Sequence, residues 1–363
     1  AAAAGLRVLL VDKKQELGAP IQCSGAVSAH ALSAVGIPED EEFICQPVYG
    51  FIIHDAEGNG TVLDYRELKP EEYLHRPLGF VVDRRRFDRY LARMAEQTGA
   101  ELWLKTEAQG YAPRSEGIAE VFLRRLGKEH RVSARVVVGA DGVQSQVGRW
   151  AGLNTHVRVG ELASCLQYIM DGVETRGLLE LITGKRWAPG GYAWVFPRGN
   201  GLAEVGLGVV PTLADHDARY YLEQFLHHSW MKERFRNAHI LEVQGGGVPL
   251  TAPLKRPCAR NLILVGDAAH QVNPITGGGI HLALQSGRLA GEFLGAFLGN
   301  GGLPTADNLA EYARRWFEQC GRTIQTLYRE KRRIFRKDGR TSDEALYRTL
   351  ADYFHPHSPY KKV

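Results

Sequence analysis

The most informative part of the sequence is residues 261–281, which read Asn-Leu-Ile-Leu-Val-Gly-Asp-Ala-Ala-His-Gln-Val-Asn-Pro-Ile-Thr-Gly-Gly-Gly-Ile-His. Its apolar run Leu262–Val265 predicts a short buried strand. After a polar segment, the pattern over Ile280–Phe297 predicts a helix. A strand that enters a glycine-rich turn and then a helix can hold a dinucleotide, because the helix N-terminus presents free N–H groups and a favourable dipole.

The residues between this strand and this helix have the chemistry that such a site needs. Asp267, at the strand end, is suited to accept hydrogen bonds from a ribose hydroxyl. Glycines let the backbone approach an anion or an electron-rich ring edge. An ordinary strand–loop–helix connection is the alternative, since short glycine motifs also occur by chance. The candidate cofactor-binding residues of the stretch are Gly266, Asp267, Pro274, Gly277, Gly278 and Gly279.

A second segment, Arg-Val-Val-Val-Gly-Ala-Asp-Gly at 135–142, predicts a strand over Ala134–Val138 that ends in a tight turn at Asp141 and Gly142. This segment and residues 261–281 resemble two motifs of the p-hydroxybenzoate hydroxylase-like flavoproteins, in that superfamily's order. The resemblance implies bound FAD. Asp267 would then hold its ribityl or ribose region, the helix start would face the isoalloxazine, and the 139–142 turn would lie near the pyrophosphate.

The beginning of the chain predicts a strand over Arg7–Val11 with Asp12 at its tip. In dinucleotide-binding βαβ units this acidic residue follows the Gly-x-Gly-x-x-Gly loop by roughly 20 residues. Counting back from Asp12 passes the start of the sequence, so we expect the first strand, its glycine loop and most of the first helix to be missing. Asp12 is expected to bind the adenosine ribose, or else to be a solvated turn residue. Without the glycine loop, FAD binding by this chain is in question.

A third motif narrows the function. In Ala188–Arg198 the side chains of Tyr192, Trp194 and Phe196 alternate, so a strand would present all three on one face. Such a face is either the aromatic wall of an apolar ligand site or part of a β-sandwich core. Together with Val205-Gly206, the motif resembles the signature of the geranylgeranyl reductase family, FAD enzymes that saturate isoprenoid double bonds.

Two more segments fit that resemblance. Ile21–Val27 contains Cys23, and it resembles the family's cysteine loop near the flavin. Residues 81–88 resemble an Arg-x-x-Phe-Asp helix start, which implies that Arg84 contacts FAD. Without the resemblance, Cys23 is an inert small residue and Arg84 part of a solvated face. An alkene that receives hydride at one carbon needs a proton at the other. The catalytic candidates are therefore Cys23, for proton delivery or substrate placement, and Tyr192 and Trp194, for cation–π stabilisation.

Composition excludes several other classes of protein. The chain has 363 residues, 44% of them apolar, with a net charge of +4. No apolar stretch approaches the ~20 residues of a membrane-spanning helix. Five scattered cysteines without a Cys-x-x-Cys pair disfavour a disulfide framework, structural zinc and an iron–sulfur cluster. No motif indicates nucleic-acid binding, and a reduced, cytoplasmic location is the default expectation.

Residues 311–340 carry ten Lys or Arg residues against four acidic ones. Apolar residues spaced three and four apart predict one apolar helix face. A helix packed on the body with a solvated basic rim is one interpretation, and peripheral contact with an anionic membrane is the other. The residues of the predicted apolar face are Tyr312, Trp316, Cys320, Ile324, Leu327 and Tyr328.

The order of patterns predicts an α/β fold: a Rossmann-like FAD-binding domain interleaved with a β-rich substrate domain, plus a helical C-terminal tail. Helices are expected at Arg85–Thr98 and Asp217–Phe235, and a strand at Glu101–Lys105. The predicted domains are residues 1–42, 81–154 and 254–300 for FAD, residues 43–80 and 155–253 for substrate, and residues 301–363 for the tail.

The expected activity is hydride transfer from reduced FAD to a geranylgeranyl or other polyprenyl lipid. No second Rossmann pattern is visible, so the electron donor is NAD(P)H bound transiently or a ferredoxin. The alternatives are an FAD-dependent monooxygenase or halogenase, a relative of the electron-transfer flavoprotein–quinone oxidoreductases, and a truncated, non-catalytic homologue. The oligomeric state, the particular polyprenyl group and the number of bonds reduced stay open.

Overall fold

The computed structural model describes residues 1–114, 117–335 and 342–358. Within them the β-strands form one seven-stranded sheet and several smaller ones. The strands are β1 Leu9–Val11, β2 Ala26–Ser28, β3 Ile44–Val48, β4 Gly50–His54, β5 Gly60–Asp64, β6 Gly79–Val82, β7 Glu101–Trp103, β8 Thr106–Pro113, β9 Ala119–Arg125, β10 Lys128–Ala134, β11 Val137–Gly139, β12 Leu162–Asp171, β13 Leu179–Ile182, β14 Ala193–Gly199, β15 Leu202–Val209, β16 His239–Pro249, β17 Cys258–Ala259 and β18 Leu262–Leu264.

The helices lie around these sheets. The longest follows the glycine-rich segment, as the sequence predicts. The helices are α1 Ala29–Ala34, α2 Tyr65–Leu68, α3 Pro70–Tyr73, α4 Arg84–Gln97, α5 Gln146–Trp150, α6 Ala218–His228, α7 Lys232–Phe235, α8 Ile280–Gly299, α9 Ala306–Trp316, α10 Arg322–Ile334 and α11 Asp343–Phe354. A π-helical segment, Phe317–Gly321, joins α9 to α10.

The seven-stranded sheet has the order β16-β12-β15-β14-β13-β4-β5, with β13 and β4 parallel and the other pairs antiparallel. Side chains alternate between its two faces. One face packs on α6, where Val195 and Val205 meet Leu222 and Phe225 in a common apolar cluster. The opposite face forms part of the wall of a cavity.

A small sheet places the two cofactor-type motifs side by side. β11 pairs with β18 in parallel, in the register Val137 with Leu262 through Gly139 with Leu264. The N–H of Val265 continues the pairing by donating to the carbonyl of Gly139 at 3.0 Å. The carboxyl ends of neighbouring parallel strands lie at one edge, where α/β proteins bind ligands. β1 and β7 form a separate parallel pair.

Helix α4 begins where the sequence predicts. The Asp83 carboxylate accepts hydrogen bonds from the N–H groups of Arg85 and Arg86 at 2.9 and 3.2 Å, which satisfies two free donors of the first turn. This N-cap fixes the position of Arg84, the first residue of the helix.

Two sequence-based predictions were wrong in detail. The predicted strand over Ala134–Val138 is two elements, because Ala134 ends an antiparallel hairpin strand and the parallel strand begins at Val137. The predicted helix over Asp217–Phe235 is also two elements, α6 and α7. It breaks at Ser229, which has an extended backbone and closes the first helix.

The apolar face predicted in 311–340 packs on the protein body. Trp316, Ile324 and Leu327 are at most 2% exposed and belong to the same core cluster as α8. The interpretation of a packed helix with a basic rim therefore describes α9 and α10. Contact of the basic rim with a membrane stays a prediction. The part of this rim that falls in residues 336–340 lies outside the described residues. Among the helices described, none is long and apolar enough to span a bilayer.

We predict that Ile324→Ala lowers the free energy of unfolding by about 2–5 kcal/mol, because it leaves a cavity in a fully buried position. Arg329→Ala, on the exposed side of α10, is the matched control and should change it by less than about 0.5 kcal/mol. Urea unfolding measures both. Equal stabilities for the two variants would mean that α10 does not pack on the core.

Candidate active site

One cavity joins the third sequence motif to the glycine-rich segment. It spans about 860 Å³ of space, including its open mouth. Its lining includes the Cys23 loop, the free face of the seven-stranded sheet and residues 274–277. The predicted site residues that the structure brings together here are Cys23, Tyr192, Trp194, Phe196, Pro274 and Gly277.

The aromatic wall is formed as the alternation predicts. Tyr192, Trp194 and Phe196 line the cavity, while Ala193 and Val195 between them are buried in the opposite cluster. The Tyr192 hydroxyl donates to the carbonyl of Thr276, which ties the wall to the glycine-rich segment. Trp194 and Phe196 present large, nearly rigid apolar surfaces.

The cavity floor beside this wall depends on glycines. A Cβ at Gly206 would lie 2.4 Å from the Cβ of Gln167 and 2.7 Å from the indole Cζ2 of Trp194. A Cβ at Gly208 would lie 3.0 Å from the sulfur of Cys165. The absence of side chains at Gly206 and Gly208 of β15 therefore lets the Trp194 ring lie across the strand and leaves room above it.

The loop that carries Cys23 is held closely against its neighbours. A Cβ at Gly25 would lie 2.4 Å from the carbonyl oxygen of Val82, so only glycine fits this approach. The Cys23 sulfur accepts a hydrogen bond from the N–H of Gly25 at 3.5 Å, and Arg84 donates to the carboxylate of Asp88 at 3.0 Å. The guanidinium of Arg84 thus lies near enough to Cys23 for the two to interact electrostatically.

The glycine-rich segment fits a flavin on three observations. Gly277 has a φ of +71°, a conformation that disfavours a side chain. Gly279 is the N-cap of α8 and supplies no side-chain cap, so the first-turn N–H groups are free to bind a ligand. A Cβ at Gly279 would lie 3.2 Å from Oδ1 of Asp267, in space left open beside that carboxylate. A further φ of +60° at Gly266 brings the strand end under α8.

Burial disfavours the ionised form of the Asp267 carboxyl group in the protein without ligand. Burial raises its pKa to about 6, although nearby Arg84 acts in the opposite direction. Burial also disfavours the charged form of His281, at the start of α8. It lowers the pKa of this imidazole to about 4, so the ring is neutral at pH 7. Asp267 is thus positioned to accept hydrogen bonds from ligand hydroxyls that replace the lost water.

Asp141, Gly142 and Asp12 lie apart from the cavity. Asp141 accepts hydrogen bonds from Ser145 Oγ and the N–H groups of Gln146 and Val147, and so caps α5. Gly142 forms the turn with a φ of +79°. Asp12 accepts from the N–H of Lys14 at the tip of β1. Their contacts with a cofactor stay predictions.

Sequence reasoning missed the residue that supports the 274–277 turn. Asn273 Oδ1 accepts hydrogen bonds from the N–H groups of Ile275 and Thr276 at 3.0 and 3.2 Å. Its Nδ2 donates to the hydroxyl of Tyr353 on α11 at 2.9 Å. The C-terminal helix therefore holds the cofactor segment, a long-range contact that no local pattern signals.

A buried polar group also escaped the sequence reading. Arg198 donates to Glu204 at 2.8 Å and to Asp83 at 3.1 Å, which links β14 and β15 to the start of α4. Burial raises the pKa of Glu204 to about 8, although Arg198 lowers it. The sequence analysis gave Arg198 no role beyond its place at the end of the segment Ala188–Arg198.

Comparison with known proteins places the chain in a family. The family model for the geranylgeranyl reductase catalytic domain matches residues 161–248, which include the cavity wall and floor. A digeranylgeranylglycerophospholipid reductase of Methanosarcina acetivorans is 37% identical over 331 residues, which span 89% of this chain and 78% of the relative. The chain belongs to the geranylgeranyl reductase family.

Solved structures agree with this membership. A geranylgeranyl bacteriochlorophyll reductase-like protein of Thermoplasma acidophilum superposes with a TM-score of 0.87 and 29% identity, covering 100% of this chain and 88% of that one. A flavin-dependent brominase, 17% identical, shares the fold with a TM-score of 0.72 over 96% of this chain and 89% of its own. The predicted α/β flavoprotein fold and the expected FAD-dependent reductase class are thereby confirmed for this geranylgeranyl reductase family member.

We predict that Asp267→Asn raises the free energy of unfolding of the FAD-free protein by about 1–3 kcal/mol at pH 7.5. The folded pKa lies above the usual value of 3.8, so the carboxylate costs stability above pH 6 and nothing below about pH 4. The gain should therefore disappear in acid. Urea unfolding at both pH values measures it.

Asp55→Asn is the control for this prediction. The slight burial of Asp55 raises its pKa, but hydrogen bonds from Asn59 and neighbouring N–H groups outweigh that effect and leave the pKa lowered. Its replacement should therefore not stabilise the protein at pH 7.5. A stability gain from Asp267→Asn that is equally large at pH 4 would contradict the electrostatic explanation.

Proposed function

We propose that the protein is an FAD-dependent reductase that saturates carbon–carbon double bonds of a geranylgeranyl or other polyprenyl chain carried on a glycerophospholipid. The observation that supports it best is the single cavity in which the glycine-rich segment meets an aromatic, otherwise largely apolar wall. Relatives whose names state this activity support the lipid class.

The residues suited to hold FAD are those at the edge where β11 and β18 end. We propose that Asp267 binds the ribityl or ribose hydroxyls, that Gly277–Gly279 receive the ring system, and that Asp141, Gly142 and Asp12 lie toward the pyrophosphate and adenosine. When bound and reduced, FAD supplies a hydride. The electron donor proposed is NAD(P)H or a ferredoxin.

Cys23 is the proposed source of the proton. Hydride adds to one alkene carbon, the S–H proton adds to the other, and the resulting thiolate is reprotonated from solvent. Arg84 lies near enough to interact with the sulfur electrostatically, so its charge would stabilise the thiolate as it forms. Positive charge that develops on carbon would face the rings of Tyr192 and Trp194, an attraction of about 0.5–2 kcal/mol.

We also propose that the substrate reaches the cavity from a membrane surface. Phe335, which follows α10, lines the cavity, so the basic last turn of this helix lies near the cavity. Basic side chains near an anionic lipid surface contribute about 1 kcal/mol each to peripheral binding.

The test incubates the purified protein with FAD, dithionite as a chemical reductant and digeranylgeranylglycerol phosphate lipid. Mass spectrometry should show a gain of two hydrogens per bond reduced. Cys23→Ser should slow turnover by about 10²-fold or more, as expected for the loss of a proton donor.

Cys258→Ser is the matched control, because this buried thiol lies outside the cavity and donates to the carbonyl of Ala306 at 3.7 Å. It should react like the unmodified protein. Unchanged turnover in Cys23→Ser would remove Cys23 from the mechanism. Lipid of unaltered mass in every sample would contradict the proposed function.

A further inference from the structure

A buried ion-pair network joins the wall of the cavity to the start of α4. Glu204 on β15 lies opposite Phe196 on β14, so it belongs to the sheet face that lines the cavity. Arg198 donates from Nη1 to Oε1 of Glu204 at 2.8 Å and from Nη2 to Oδ2 of Asp83 at 3.1 Å. The side chain of Arg198 is 9% exposed and that of Glu204 is 2% exposed. One buried guanidinium therefore connects the sheet to the helix.

The two carboxylate oxygens of Asp83 have different partners. Oδ1 accepts hydrogen bonds from the N–H groups of Arg85 and Arg86 and so caps α4, whereas Oδ2 accepts from Arg198. The cap fixes the start of the helix, and Arg198 fixes the cap relative to the sheet. The position of Arg84, the first residue of α4, therefore depends on this link.

Arg84 interacts electrostatically with two groups of the proposed reaction. These groups are the Cys23 thiol and the Asp267 carboxyl group. The guanidinium of Arg84 also donates to the carboxylate of Asp88, at 3.0 Å. Since Asp88 belongs to the same helix, that bond does not set the position of Arg84 relative to the rest of the site.

The loop that carries Cys23 packs on the backbone at the same helix start. A Cβ at Gly18 would lie 2.5 Å from the Cα of Arg85. A Cβ at Gly25, on the other side of Cys23, would lie 2.4 Å from the carbonyl oxygen of Val82. These are backbone contacts, so the start of α4 positions the thiol as well as the guanidinium.

We propose that Arg198 is a positioning residue, which holds the start of α4, and with it the guanidinium of Arg84, in place relative to the cavity wall. The groups oriented in this way are the Cys23 thiol and the Asp267 carboxyl group. The inference rests on the proposed function, in which the first supplies a proton and the second binds the cofactor. Burying a guanidinium seldom stabilises a protein more than apolar packing would, so the network is better explained by the orientation that it fixes.

The pKa of Asp267 in the FAD-free protein reports where Arg84 lies. Burial raises this pKa to about 6, and the charge of Arg84 acts to lower it. The imidazoles of His270 and His281 are neutral at pH 7.5, because burial lowers the pKa of both. If Arg84 moves away, the pKa of Asp267 should therefore rise further, to about 7.

Urea unfolding over a pH series measures this pKa through the stability gain from Asp267→Asn. A carboxyl group whose folded pKa is raised costs stability as pH rises above its unfolded value, and the cost levels off near the folded pKa. The gain from Asp267→Asn should therefore level off near pH 6 in the otherwise unmodified protein. When the link is broken, it should level off about one pH unit higher.

Two variants break the link in different ways. Arg198→Met removes the guanidinium. Asp83→Ser removes the acceptor but keeps an N-cap, since a serine hydroxyl also accepts from first-turn N–H groups, and it serves if Arg198→Met does not fold. Both should raise the pKa of Asp267, and both should slow lipid reduction with dithionite-reduced FAD about tenfold, because the proton donor is misplaced.

Arg234→Met is the matched control. Arg234 also binds a buried carboxylate, that of Glu180, at 2.7 Å. Glu180 lies opposite Val195, on the sheet face that packs on α6 rather than the cavity face. The control variant should lose stability, but it should keep the pKa of Asp267 near 6 and react like the unmodified protein.

The outcomes separate the inference from the proposed function. An Asp267 pKa that stays near 6 in both link variants, or rises equally in Arg234→Met, would overturn the role of Arg198 and leave the proposed function intact. Full turnover in the link variants would do the same. Absence of product from the unmodified protein would overturn the proposed function and any role of Arg198 in the reaction, while the titration would still decide whether Arg198 holds Arg84 in place.

Discussion

The parallel pairing of β11 with β18 is the constraint on which the rest of the site depends. It places the turn at 140–142 and the glycine-rich segment at one edge, although more than 100 residues separate them in the chain. Those intervening residues provide most of the seven-stranded sheet, whose free face then lies against the glycine-rich segment. The long segment between β11 and β18 therefore provides the aromatic wall that lies next to the glycine-rich segment.

Contacts between the two parts keep them in register. Tyr192 binds the backbone of Thr276, Arg198 binds the cap of α4, and α11 holds Asn273. The first contact joins the cavity wall to the glycine-rich segment, the second joins the seven-stranded sheet to α4, and the third joins the glycine-rich segment to the C-terminal helix. Such links maintain the orientation that hydride transfer to a bound alkene needs.

Much of this arrangement was predictable from local patterns. The strand–glycine–helix order gave the position of α8, and the alternation of Tyr192, Trp194 and Phe196 gave the wall, because both depend on short-range periodicity. Arg84 at a helix start followed from the family resemblance. The expected activity came from the family resemblance, because the spacing of apolar residues does not indicate a reaction.

The missed features all depend on long-range contacts. Gln167 and Gln244 are 77 residues apart, and their hydrogen bond exists only because β12 pairs with β16 in one register. The apolar face of α10 had two interpretations, and only the position of the core determines which one holds.

A crystal structure of the protein grown with FAD tests most directly whether one cavity serves both cofactor and lipid. We expect the isoalloxazine to lie beside Gly277 and Gly278 and the ribityl hydroxyls to bind Asp267. One face of the ring should be open to Cys23 and Trp194. A flavin bound elsewhere on the surface, with protein between it and the aromatic wall, would contradict the account.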